Sequence, residues 1–206
     1  MDIRSSDIEH RIAARLKAFR GQRGLTLDEL ARQSGVSRSM ISLIERAESS
    51  ATANVLDKLA ASLGVTLASL FAEEERADAA PLVRYADQPS WRDPETGYVR
   101  RNLSPPGFPS PIELVEVILP PDAQVAYDSS SRAAAVEQQI WLLVGSIEVT
   151  VGKSVHRLDT GDCLAMRLDR PISFRNRTDE AARYLVALTT GAPRATAGSD
   201  RRRSGR

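Results

Sequence analysis

The chain has one cysteine, two histidines and almost no net charge: Cys163, His10 and His156, and +1 over 206 residues. A lone cysteine excludes an internal disulfide and a thiolate-rich metal site. Its apolar neighbours Leu164 and Ala165 predict a small buried residue in a reducing, cytoplasmic setting. Neither histidine has a partner at ligand spacing, so His156 is read as an ordinary strand histidine. Near-neutral charge means that any nucleic-acid surface must come from local clustering of arginine. No apolar run approaches the ~20 residues needed to cross a bilayer. The start, "MDIRSSDIEHR", lacks the apolar stretch of a secretory signal, and a soluble protein is expected.

What is present divides in two. The length suffices for two modest cores. Up to about residue 72, apolar residues recur at three and four, as in Ile8, Ile12, Leu16, Phe19 and in Val55, Leu56, Leu59, Leu63, the period of amphipathic helices. Beyond it the period is two: "IELVEVIL" from Ile112, "QIWLLVG" from Gln139, "SIEVTVG" from Ser146 and "ARYLVALTT" from Ala182 read as short strands among about nine. The expected units are helices over 8–72, a linker over 73–81, strands over 82–190 and a basic, disordered tail over 191–206. Arg201, Arg202, Arg203 and Arg206 make that tail basic, and a solvated end is its expected role.

The first unit reads as about five helices. Thr26 and Glu29 have capping-box spacing and open "LDELARQS", which Gly35 stops. Ser37 caps "RSMISLIER" after so short a connection that the two helices must cross steeply, as in a helix-turn-helix. Thr52 opens "ANVLDKLAASLG" and Thr66 opens "LASLF". At about 100° per residue, Ile41 and Ile44, with Met40 behind them, face inward. Ser39, Ser42, Leu43 and Arg46 share the opposite arc and Arg38 sits in the first turn, an array able to offer guanidinium and hydroxyl groups to base edges and phosphates.

The stretch from Gly24 to Phe71, with its capping Thr, "LA", Gly-Val-Ser and "ISLIER" in order, resembles the DNA-binding domain of the phage-repressor (Xre) family. That resemblance implies a reading unit from Leu27 to Arg46. It places Leu27, Ser37, Arg38, Ser39, Ser42, Leu43 and Arg46 at the DNA, and pairs Glu45 with Arg20. Leu27 stands where many members carry Gln, and Ala47 and Ala51 where Gly and Pro are common.

"VGSIEVTVGKSVHRLDTGDCLAM" followed by "PISFRN", closed by Asn176, resembles a cupin and implies a double-stranded β-helix, an all-β barrel behind the all-α domain. A metal cupin needs two His and a Glu on one strand pair and a third His later. Here the Glu position falls on Gln138, the later His position on Ile172, and the first His positions among the Ser, Arg and Ala of 128–135. No metal, cofactor or catalytic residue is therefore assigned. The interior is read instead as a small-molecule site in which Gln138 hydrogen-bonds a ligand and Ile140, Leu142, Ile172 and Phe174 form apolar walls. Tyr127 and Arg167 are weaker candidates for the same site. Alternation places Trp141 outside the barrel, against a second copy or a neighbouring strand.

Together these features predict a cytoplasmic, dimeric, non-enzymatic transcription regulator that binds double-stranded DNA and senses an effector through its barrel. The alternatives are a constitutive repressor whose barrel only dimerises it, and a cupin enzyme carrying a DNA-binding domain.

Overall fold

Four Ser or Thr residues start four of the five helices. Thr26, Ser37, Thr52 and Thr66 each adopt extended backbone and accept a hydrogen bond from the third amide of the succeeding helix. In the computed structural model, which describes residues 3–73, 77–127 and 136–189, the helices are α1 (Ile3–Gln22), α2 (Leu27–Ser34), α3 (Arg38–Glu45), α4 (Ala53–Ser62) and α5 (Leu67–Phe71). The predicted capping box is complete: Glu29 N donates to Thr26 Oγ1 at 3.2 Å and Thr26 N to Glu29 Oε2 at 2.8 Å. Helix α2 ends at Gly35 in the left-handed region, φ 69°. Leu16, Leu30, Ile41, Leu56 and Leu59 are wholly buried between the helices.

Ten strands complete the described chain: β1 (Ser90–Arg92), β2 (Val99–Asn102), β3 (Ile112–Leu119), β4 (Gln124–Tyr127), β5 (Glu137–Val144), β6 (Ser146–Val151), β7 (Ser154–Asp159), β8 (Cys163–Arg167), β9 (Ile172–Arg175) and β10 (Ala182–Thr189). They form two antiparallel sheets, one in the order β1-β2-β3-β10-β5-β8 and one in the order β4-β9-β6-β7. This is the all-β, antiparallel architecture that the strand pattern predicted. Alternation decides which face is inside: in β5, Gln138, Ile140 and Leu142 are buried, while Gln139 and Trp141 are exposed. The turn between β5 and β6 needs Gly145, whose φ is 91° and whose added Cβ would lie 3.1 Å from Ala182 Cα. Asn176 closes the far end from a fully buried position. Its Nδ2 donates to the carbonyls of Leu119, Pro120 and Glu180, and its Oδ1 accepts from Thr178 N.

Two expectations are corrected. Cys163 is exposed, because it shares the outer face of β8 with Ala165 and Arg167. Met40 is 36% exposed: Ile41 and Ile44 fill the inward arc of α3 and leave it no room there. The predicted disordered tail and the 128–135 segment lie outside the described residues. Among the described residues no helix is long and apolar enough to cross a membrane.

Ala47, where the resembled family favours glycine, takes φ 55° after α3. A side chain there costs roughly 1 kcal/mol. Ala47→Gly is therefore expected to raise unfolding stability by about 1 kcal/mol, read by urea denaturation, with an unchanged or lowered midpoint contradicting the strain.

Candidate nucleic-acid interface and barrel cavity

Helices α2 and α3 are held against α1 by more than apolar contact. Arg20 on α1 donates through Nε and a terminal nitrogen to the two Glu45 carboxylate oxygens, both at 2.7 Å, and through Nη1 to Leu25 O at 2.9 Å. The predicted Arg20–Glu45 pair is thus bidentate, and Glu45 holds the Arg20 guanidinium above its ordinary value, chiefly by hydrogen bonding. It fixes the end of α3 to α1, so the outer face of α3 is presented rigidly.

On that face Arg38 is solvated and pairs at 3.3 Å with Asp28, itself exposed. Arg46 donates to Ser42 Oγ and to Glu48 at 2.8 Å. Such surface pairs are worth under about 1 kcal/mol and exchange readily for a phosphate or base edge. Ser39 is exposed and Ser42 and Leu43 are half-buried. Ser37 is occupied, since its hydroxyl caps α3 at Met40 N and meets Ser39 Oγ at 3.2 Å. Leu27 is half-buried and packs partly on the helical core.

Inside the barrel, Gln138, Ile172 and Phe174 line one cavity, joined by Tyr127. Ile140 and Leu142 do not: they are wholly buried on the same face of β5, at the end of the barrel filled by side chains. Arg167 lies outside, exposed, with Glu137 at 3.4 Å. His10 lies on α1 and His156 is exposed on β7, and no group of three His, Cys, Asp or Glu side chains capable of holding a metal occurs among the described residues.

Among the cavity residues that escaped the sequence reading are Tyr98, Arg100 and Tyr184. Burial raises the Tyr127 and Tyr184 phenols well above their ordinary value. Tyr98 and Tyr184 reinforce the effect at Tyr127, whereas Arg100 opposes it at both. Phe174 stacks on Tyr184 with ring centroids 5.7 Å apart. The cavity between the lining residues is small, about 50 Å³.

One wall of this cavity belongs to the helical domain: Thr66, at the cap of α5, with Leu67 and Ala68. Two contacts seat it there. Asp93, 2% exposed after β1, accepts the Ala53 amide of α4 through Oδ2 at 2.7 Å and the amides of Glu95 and Thr96 through Oδ1. It thereby satisfies an amide that a helix start otherwise leaves without an acceptor. Phe71 of α5 meets Trp91 edge-on at 5.4 Å, Trp91 meets Tyr98 at 6.2 Å, and the Arg100 guanidinium lies 5.1 Å over Phe71. One continuous apolar core therefore runs from Leu16 to Tyr184.

The sequence profile of the HTH_3 helix-turn-helix family matches residues 16–70. Residues 16–70 are accordingly an HTH_3-type helix-turn-helix domain. The HTH-type transcriptional regulator SutR of Escherichia coli (strain K12) is 39% identical over 66 residues, 32% of this chain, so the chain spans about a third, 37%, of that curated relative. Across nearly the whole chain the likeness is to an HTH_3 family transcriptional regulator from Vibrio cholerae, with 27% identity, TM-score 0.68 and coverage of 92% of this chain and 99% of that one. The Cupin_2 domain of an XRE family transcriptional regulator from Enterobacter cloacae aligns with TM-score 0.41 at 19% identity, over 47% of this chain and 98% of that one.

Asp93→Ala leaves the Ala53, Glu95 and Thr96 amides without their acceptor. It is expected to lower unfolding stability by about 2–3 kcal/mol in urea denaturation, with Asp93→Asn, which keeps an acceptor, losing less. Equal losses for Ala and Asn would contradict the hydrogen-bonding role.

Proposed function

We propose that the chain is a sequence-specific, DNA-binding transcription regulator that works as a homodimer in the cytoplasm, its barrel serving as the seat of a small-molecule effector. The carrying observation is the outer face of α3, where Arg38, Ser39 and Arg46 project from a helix locked to its neighbours by Arg20 and Glu45. The family of the N-terminal domain and the Vibrio cholerae regulator's likeness support the same reading. In this reading the first turn of α3 enters the major groove, Arg38 and Ser39 meet base edges, and Arg46 meets the backbone.

Dimerisation adds the contacts of two such heads, set about 34 Å apart on one face of the duplex. The outer face of the six-stranded sheet supplies the surface. Trp141, half exposed, stands opposite Leu185 in the ladder, and the exposed Leu114 lies opposite Ala187 on the adjacent strand pair. A large indole exposed on a sheet face, one strand in from the β8 edge, is costly to leave in water and is typical of an interface anchor. The effector reading is supported by Gln138, which reaches the cavity as a polar group among apolar walls.

Duplexes selected from a random pool by the full chain provide the probe. Arg38→Ala, at a solvated position, is expected to keep its melting temperature while losing affinity for the selected duplex on the order of tenfold, measured by gel shift at fixed salt. A folded Arg38→Ala that binds with unchanged affinity and selectivity would overturn the reading. Trp141→Glu is expected to run as a monomer in light scattering and to bind the selected duplex more weakly, whereas a parent chain already monomeric at micromolar concentration would remove the dimer.

A further inference from the structure

We propose that the barrel cavity is built for a small organic carboxylate, its anionic end on Arg100 and its apolar body against Ile172 and Phe174, and that α5 is the wall it displaces. The inference rests on the effector reading and gives that effector a chemistry.

Charge comes first. Arg100 is the one charged side chain among the described residues lining the cavity, and it is 6% exposed. One terminal nitrogen donates to Glu113 Oε1 at a long 3.2 Å, and Nε, buried, has no hydrogen-bond partner among the described residues. A buried guanidinium donor without an acceptor is costly, and a guanidinium edge matches two oxygens of a carboxylate. Glu113 occupies only part of the fork, outside the cavity lining. The other polar groups agree with an anion. Tyr127 and Tyr184, held protonated by burial, keep their hydroxyl hydrogens as donors, and Gln138 adds an amide. Among the described residues no acidic side chain lines the cavity, so a cationic ligand finds no counter-charge there.

Size then decides which wall moves. A space of about 50 Å³ for water-sized centres holds a few water molecules, so a ligand much larger than that must push something aside. Strands β3, β10 and β5 are each paired on both sides and resist. Helix α5 is five residues long and meets the cavity through side chains. It also packs on α1 and α4 of the helix-turn-helix domain, and its Phe71 lies beneath the same Arg100. A carboxylate that turns Arg100 and presses on Leu67 therefore favours a different seating of the reading head, and its differential affinity for the two seatings sets the change in DNA affinity.

The test uses the full chain with benzoate, benzamide as its neutral isostere, and the selected duplex. Calorimetric titration is expected to give benzoate at least tenfold tighter binding than benzamide, and saturating benzoate is expected to change duplex affinity at least threefold. The preference should vanish in Arg100→Gln/Glu113→Gln, which removes both charges and keeps the bulk. If that double variant does not melt cooperatively, Tyr127→Phe, which removes one of the named donors and leaves the Arg100–Glu113 pair intact, carries the test: a several-fold loss of benzoate affinity supports the site and no loss overturns it. Equal binding of benzamide overturns the carboxylate assignment and leaves the effector reading standing. No heat from either probe at roughly 10 mM overturns both. Benzoate binding with unchanged duplex affinity overturns the role of α5.

Discussion

A carboxylate buried at the start of a helix holds the two halves of this molecule in one arrangement. Asp93 extends from the barrel to Ala53 N and, through its other oxygen, to the amides of its own turn. Because the Asp93–Ala53 bond is out of water, it is geometrically demanding, and it is lost if one half slides on the other. The consequence is positional. With α4 fixed, α5 is set beside Trp91 and Arg100, and the barrel cavity acquires a wall from the helix-turn-helix domain. Separate domains on a flexible linker would share no cavity; these two do.

Much of the architecture was legible because one buried face imposes a strict period. Strand β3 has the bounds of its alternating run and β10 differs by one residue, since a one-residue slip would turn every apolar side chain to water. Helix starts were legible from Thr26, Ser37, Thr52 and Thr66 because a cap is a local interaction. The polarity of its neighbours misplaces Cys163, although parity with the outward Arg167 gives its face. Arg100 was not legible. An inward arginine in "VRRN" looks like an outward one, and the partner that permits burial, Glu113, is brought to it only when β2 pairs with β3. The same holds for α5: its apolar face shows that something must cover it, and only the fold shows that the cover is the barrel.

The candidate DNA face and the cavity differ in how they are made. The first is a property of one helix, readable residue by residue, with Arg38 and Arg46 held by exchangeable surface pairs that a duplex can replace. The second is assembled from β2, β3, β4, β5, β9, β10 and the end of the helical domain, and its chemistry lies in an unfinished guanidinium rather than in a motif. Because the two share one seam, a ligand that displaces α5 as proposed acts on the reading head without a long relay.

The most direct test of that seam is scanning calorimetry of the full chain. If Asp93 and the Phe71–Trp91 contact make one cooperative body, the described domains unfold in a single transition whose calorimetric and van't Hoff enthalpies agree. Two resolved transitions, one for the helices and one for the barrel, would contradict it.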